Sequence, residues 1–372
     1  MSTLKAGPPL GPDMRPRDLS DHAVYEAGRG IEEVARELGF DPEELVKLSS
    51  NENPHGPSPR AVEAVREAAP SVNTYPKADH TDLIAELADR HGVSPGQVWL
   101  ASGGDGALDY LHRALLEPGD SVLVPDPGFA YYPMSARFHH GTVSTYSLSR
   151  EDDFAQTARG VLDAYGGERI VHVTSPHNPT GSEMRGDAVE RLADGTDEET
   201  LVLVDEAYVE FSDDPGKVDL VRRRDNVAVL RTFSKVYGLA GLRLGYVLTP
   251  GTWDDAYARV NTPFAVNKPA LRAGLAALDD DEHVERTVET ARWSRSYMHE
   301  HLDAPTWPSG GNFVLADVGD GSAVFEAANE RGVIVRDTTS FGLPGCVRVT
   351  AGTREGTRRA VEVLNGVLEE RR

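Results

Sequence analysis

The sequence predicts an α/β protein, with a large domain built on a mainly parallel central sheet flanked by helices and a smaller α+β C-terminal domain. Two observations carry that prediction. Short, mostly apolar segments at Val98–Ala101, 121–124, Ile170–Thr174, Leu201–Asp205 and 227–230 alternate with helix-period stretches such as Pro59–Ala68 and Thr81–His91. Segments apolar on both faces are those of parallel strands covered by helices. Beyond residue 260 the pattern changes: two long helical segments come first, Lys268–Leu278 and 282–302, and strands follow at 312–318, 333–336 and Cys346–Thr350.

In chain order, residues 1–50 form an N-terminal arm with one amphipathic helix over 30–38, and Gly39 is its expected left-handed stop. Residues 51–260 form the large domain and 261–372 the small one, which the arm packs against and which the helix Arg354–Glu370 closes. The glycine turn 103–106 leads into a helix predicted over 107–116. No internal repeat and no low-complexity linker interrupts this order.

Composition restricts the function classes. The formal charge is −22, with only six lysines and 32 arginines against 60 acidic residues. Such a surface repels nucleic acid and anionic membranes, and it is what a salt-rich cytoplasm tolerates, since screening over a few ångströms removes self-repulsion. No apolar run reaches 18 residues and the proline-rich start has no apolar core of a secretion signal, so neither a membrane span nor export is expected. The single cysteine, Cys346, excludes internal disulfides, reads as core, and fits a reducing, cytoplasmic compartment.

The chemistry concentrates in 232–243. Lys235 stands among apolar and small residues, where a charged amine is costly to bury but an amine bonded to a carbonyl as a Schiff base is not. Thr232 and Ser234 offer hydroxyls, and Arg243 offers a planar fork suited to phosphate. An aldehyde and a phosphate on one molecule point to pyridoxal phosphate. Asp205 ends a buried strand, at the carboxyl edge where open α/β sheets bind ligands, and a protonated pyridine nitrogen would be its cation. Tyr208 and Asn178 are candidates for the cofactor's phenolic oxygen. The turn at Gly104 and Asp105 opens a helix, where backbone N–H groups can meet a phosphate.

With these motifs in this order, the chain resembles the fold-type I pyridoxal-phosphate aminotransferases, and within them the histidinol-phosphate aminotransferases. The likeness runs from Asn51-Glu52-Asn53-Pro54 through Ser175 to Gly181, Asp205 to Tyr208 and Arg231 to Gly245, to Cys346 to Thr353. It implies that Lys235 holds the cofactor and moves the α-proton, that Asp205 pairs with the ring nitrogen, and that Tyr208 and Asn178 bind the phenolic oxygen. Phe129 would stack on the ring, although many relatives have tyrosine there. Gly104, Asp105, Thr232, Ser234 and Arg243 would hold the cofactor phosphate, joined by Tyr75 of a second subunit in a homodimer.

For substrates the resemblance implies Arg348 for the α-carboxylate with Asn53 as a second contact, and Arg336 with Tyr25 for a substrate phosphate. One departure is Phe264, where some members present a tyrosine across the interface. The implied reaction exchanges the amino group of L-histidinol phosphate with 2-oxoglutarate in histidine biosynthesis. Aromatic amino-acid aminotransferases and threonine-phosphate decarboxylases share the same motifs, and an inert cofactor-binding regulator of this fold is disfavoured by the negative charge and the absence of a helix-turn-helix extension. The histidine pairs, His139-His140 and His299-x-His301, have no partners at metal-ligand spacing, so no metal site is expected.

Overall fold

A computed structural model describes residues 19, 20, 22–25, 28, 30–77, 80–253 and 255–372. Its core is a seven-stranded sheet in the order Val98–Ala101, Gly245–Leu248, Val227–Thr232, Leu201–Asp205, Ile170–Thr174, Ser121–Asp126, Thr142–Ser147. All neighbours are parallel except around Gly245–Leu248, which runs antiparallel to both strands beside it. The exception has a local cause: only residues 233–244 join Thr232 to Gly245, without the crossover helix that a parallel return normally uses. This connection stays at the carboxyl edge of the sheet, and it carries Lys235 and Arg243.

Each residue of Leu201–Asp205 and Ile170–Thr174 is buried, as strands covered on both faces require. The helices Pro59–Ala68, Thr81–His91 and Lys268–Leu278 have the bounds expected from their end signals: Ser58 and Asn267 cap two of them with side-chain oxygens, and Gly92 ends the third at φ 62°. Gly39 ends Ile31–Leu38 at φ 78°. The helix expected from 107 instead spans Gly103–Leu115, so the glycine turn is its first turn rather than a preceding loop.

Lys268–Leu278 follows residue 260 in sequence but packs with the large sheet's core. Its Ala270, Ala273 and Ala277 join Leu83, Leu244 and Phe233, and at Gly274 a Cβ would lie 2.4 Å from Leu244 Cδ2. The smaller C-terminal domain is an antiparallel sheet in the order Arg336–Asp337, Cys346–Thr350, Phe313–Asp317, with helices Asp281–His301, Gly321–Asn329 and Arg354–Glu370. The single strand expected over 333–336 is two short ones. Val333–Ile334 pairs in parallel with Val46–Lys47 near the N-terminus, whereas Arg336–Asp337 pairs with Val347 and Arg348. Different partners on either side of Val335 divide it. Among the described residues no helix is long and apolar enough to cross a membrane.

Candidate active site

Several strand ends converge on one edge of the large sheet, and a pocket of about 340 Å³ opens there against the small sheet. Thirteen of the fifteen residues singled out in the sequence line it: Tyr25, Gly104, Asp105, Phe129, Asn178, Asp205, Tyr208, Thr232, Ser234, Lys235, Arg243, Arg336 and Arg348.

The floor is Asp205. Its carboxylate is buried and forms no ion pair among the described residues; Oδ2 accepts from the Tyr132 hydroxyl at 2.7 Å and Oδ1 from the Ala207 N–H at 2.9 Å. Burial pushes its carboxyl up to about 6, against the pull of those two hydrogen bonds. A cation placed here would relieve the cost. Lys235 Nζ stands over the pocket, donating to the Ser50 carbonyl at 3.2 Å and lying 5.5 Å from the centre of the Tyr208 ring. The Tyr208 hydroxyl accepts from Asn51 Nδ2 at 3.0 Å.

At one end is a cup of small donors. The Thr232 hydroxyl donates to Ser234 Oγ at 2.9 Å, and Arg243 Nη2 donates to Asp105 Oδ2 at 3.0 Å. Two glycines make the cup possible. Gly103 has φ 79°, and a Cβ on it would lie 2.6 Å from Arg243 Nη2; a Cβ on Gly245 would meet the Gly103 carbonyl carbon at 2.6 Å. Gly104 and Asp105 therefore open their helix, with its free N–H groups, directly over the strand end. Burial raises the Asp105 carboxyl from its usual range, which Arg243 counteracts.

At the other end are two arginines. Arg348 is buried; Nη2 donates to the Ser49 carbonyl at 2.7 Å, Nη1 donates to Asn178 Oδ1, and Nε has no hydrogen-bond partner among the described residues. Burial lowers its guanidinium to about 10. Arg336 donates to Ser340 Oγ at 3.2 Å. Phe129 and Tyr25 meet edge to face at 6.3 Å, and burial raises the Tyr25 phenol above its usual value.

Two expected residues lie elsewhere. Asn53 is not a pocket residue: its Nδ2 reaches the Val236 carbonyl at 2.7 Å, Thr287 Oγ1 at 3.1 Å and His283 Nε2 at 3.2 Å, tying the loop to the helix Asp281–His301. The pocket position belongs to Asn51, two residues earlier. Asn51 has φ 54°, a conformation asparagine tolerates, and it is held on both sides by Thr350 Oγ1 at 3.0 Å. Tyr75 is also outside, 78% exposed and stacked on Phe264 at 4.6 Å beside a separate hollow of about 560 Å³. His177 is fully buried on Thr180 and is not in the pocket. Tyr132 and Phe341 are pocket residues that the sequence reading passed over; Tyr132's one signal was its place a turn after Phe129. No cluster of metal-binding side chains occurs among the described residues.

The family model "Aminotransferase class I and II" matches residues 43–364. The chain is 67% identical over 355 residues to a histidinol-phosphate aminotransferase of Natronomonas pharaonis, covering 95% of this chain and all of that one. It is 66% identical to one of Haloarcula marismortui over 357 residues, covering 96% and 99%. Among solved structures it superposes on a histidinol-phosphate aminotransferase from Sinorhizobium meliloti in complex with pyridoxal-5'-phosphate, with a TM-score of 0.87, 26% identity and coverage of 96% and 98%. It superposes likewise on aspartate aminotransferase from Thermus thermophilus, with a TM-score of 0.80, 27% identity and coverage of 95% and 100%. With a family model matched over residues 43–364 and relatives two-thirds identical over nearly its whole length, the chain that gathers Asp205, Lys235, Arg243, Arg336 and Arg348 in one pocket belongs to the class I and II aminotransferase family.

Proposed function

We propose that the chain transfers the amino group of L-histidinol phosphate to 2-oxoglutarate, in histidine biosynthesis, using pyridoxal 5'-phosphate. The observation that carries this reading is the pairing of a buried, uncompensated Asp205 below Lys235 with two arginines at the far end of the pocket, in a chain 67% identical to a histidinol-phosphate aminotransferase. The residues fit the cofactor: among the described residues no cation pairs with buried Asp205 and Arg348 Nε is a buried donor without a partner, and Gly103 leaves room that a Cβ would fill.

When bound, pyridoxal phosphate supplies an electron sink for the pair of electrons left when the substrate α-carbon loses its proton. The chain supplies the rest. Asp205, oriented by Tyr132 and the Ala207 N–H, would hold a protonated ring nitrogen; Tyr208 and Asn178 would bind the phenolic oxygen and Phe129 would cover the ring. The N–H groups at Gly104 and Asp105, with Thr232, Ser234 and Arg243, would hold the phosphate. Lys235 Nζ, as a free amine, would take the proton from the substrate α-carbon and hold it for return. Arg348, already fixed by Ser49, takes the α-carboxylate of glutamate, while Arg336 and Tyr25 meet the substrate phosphate. Exposed Tyr75 would complete a second subunit's phosphate cup in a homodimer, and the reaction belongs in the cytoplasm.

The test follows the absorbance of the bound cofactor in high salt on addition of L-histidinol phosphate, L-phenylalanine or L-threonine phosphate separately. Rapid conversion by histidinol phosphate alone is expected, and Arg336→Gln should slow it by roughly 10- to 100-fold, the scale of one charged hydrogen bond. Equal conversion by phenylalanine would make the enzyme a broad aromatic aminotransferase, and carbon dioxide release would make it a decarboxylase.

A further inference from the structure

Behind the pocket floor lies a buried group of charges that none of the chemistry above uses. Along the strands Leu201–Asp205 and Val227–Thr232 successive side chains alternate between the two faces: Asp205, Leu230 and Thr232 line the pocket, whereas Glu206 and Arg231 do not. The Glu206 N–H carries the ladder one step past Asp205, to the Leu230 carbonyl at 2.8 Å, and so brings Glu206 beside Arg231 across the strands. Arg231 Nε and Nη2 both donate to Glu206 Oε2, at 3.0 and 2.8 Å. The other oxygen, Oε1, accepts from the Lys217 N–H at 2.6 Å.

The surrounding chain is shaped to this pair. The Glu206 carboxylate is fully buried, and Gly216 closes over it at φ 84°, where a Cβ would lie 2.7 Å from Arg231 Nη2 and 3.0 Å from Glu206 Oε2. Buried Lys217 extends the network to a third strand end: its Nζ donates to Asp214 Oδ1 at 3.1 Å and to Ser175 Oγ at 3.2 Å. Ser175 in turn donates its N–H to the Asp205 carbonyl at 2.9 Å, and it opens the turn that presents Asn178.

Stability alone does not call for such a network. Taking two charges out of water offsets most of their attraction, and an apolar pair of similar volume is often as stable. What apolar contact lacks is direction, and two donors converging on one oxygen fix the spacing of the two backbones that carry them. We propose that Glu206 is a positioning residue: its side-on pair with Arg231 sets the spacing between Asp205 on the pocket floor and Thr232 in the phosphate cup, and Lys217 ties the turn 175–178 to the same frame. The inference rests on the cofactor reading above. A ring nitrogen and a phosphate on one rigid molecule are met together only if that spacing is held.

The experiment compares wild type, Arg231→Lys and the double variant Glu206→Leu/Arg231→Met. It measures the melting temperature of each cofactor-free protein in high salt, the Kd for pyridoxal phosphate by titration, and the circular dichroism of the bound cofactor's absorption band. The double variant removes both charges, so it should melt near wild type but bind pyridoxal phosphate about tenfold more weakly, the scale on which supporting residues act, with an altered dichroic band. Arg231→Lys keeps the charge balance but donates from one nitrogen, and its affinity should fall between the two; it carries the comparison if the double variant does not fold. Affinity within twofold of wild type and an unchanged band, in whichever variant carries the comparison, would reduce the pair to packing and overturn the proposal. A wild-type protein that binds no pyridoxal phosphate would instead remove the cofactor reading, and this inference with it.

Discussion

Asp205 makes the cofactor-free protein pay a pH-dependent penalty that the cofactor should remove. Burial lifts its carboxyl from an ordinary 3.8 to about 6. A carboxyl with a raised folded-state value binds its proton more tightly folded than unfolded. Its contribution to stability is therefore complete below about pH 4 and falls as pH rises towards 6. At roughly 1.36 kcal/mol for each tenfold change in proton affinity, the loss is about 3 kcal/mol by pH 7. Asn at this position carries no charge; its oxygen can still accept from the Ala207 N–H, and its amide can donate to the Tyr132 hydroxyl, which then donates to Thr174 Oγ1. Denaturant unfolding of cofactor-free wild type and Asp205→Asn at pH 4.5 and 7.5, in high salt, measures the effect. The stability of the variant relative to wild type should rise by about 2 kcal/mol between the two pH values, while its affinity for pyridoxal phosphate falls. Taking the difference cancels other titrating groups, such as Glu210, which burial raises to about 7. If both proteins show the same pH dependence, Asp205 is not an uncompensated buried charge and the argument for a cationic ring nitrogen fails.

Other outcomes follow from single contacts. Gly103→Ala should abolish retention of pyridoxal phosphate through gel filtration while leaving a folded protein by circular dichroism, because its Cβ would drive Arg243 from the cup. Asn53→Ala should cost about 1 to 3 kcal/mol of stability by leaving the Val236 carbonyl unpaired, with the KM for glutamate nearly unchanged; a large rise in KM would restore Asn53 to the carboxylate site. Borohydride reduction of the holoenzyme followed by peptide mass spectrometry should place the phosphopyridoxyl group on Lys235, and a label on Lys217 would sink that assignment. Melting temperature should climb from dilute buffer to molar potassium chloride for a chain of charge −22, and a flat curve would end the salt-adaptation reading.

Most of the fold was legible because its signals are local. Caps at Ser58 and Asn267 and stops at Gly39 and Gly92 act within one turn of chain, and the expected helices end where those residues stand. The apolar strands were legible for the same reason, since burial on both faces leaves a composition that nothing else explains. What could not be read were pairings. Nothing near Val335 announces that the residues before it join Val46–Lys47 and those after it join the Arg348 strand. Nor does the small-residue stripe on Lys268–Leu278 say that it packs against Leu83 and Leu244 of the large core.

The site divides in the same way. The chemistry of Lys235, Asp205, Arg243, Arg336 and Arg348 is written in residue type and motif, because a buried carboxylate, a lysine in apolar company and paired arginines each need a partner wherever the chain places them. The choice between Asn51 and Asn53 is not, since both are asparagines in one motif. It is made by a left-handed backbone at Asn51 and by Thr350, nearly three hundred residues away. Tyr132 acquires its role by reaching Asp205 past Thr174 of the strand between, and Phe341 lies beside two arginines that only sheet register brings face to face. The sequence by itself thus determined which reactive groups the protein owns, because local propensity and the cost of burying charge depend on residue type. Only the tertiary structure decided which neighbours hold those groups, because side-chain contacts across strands depend on register and backbone path, which no short stretch of residues encodes.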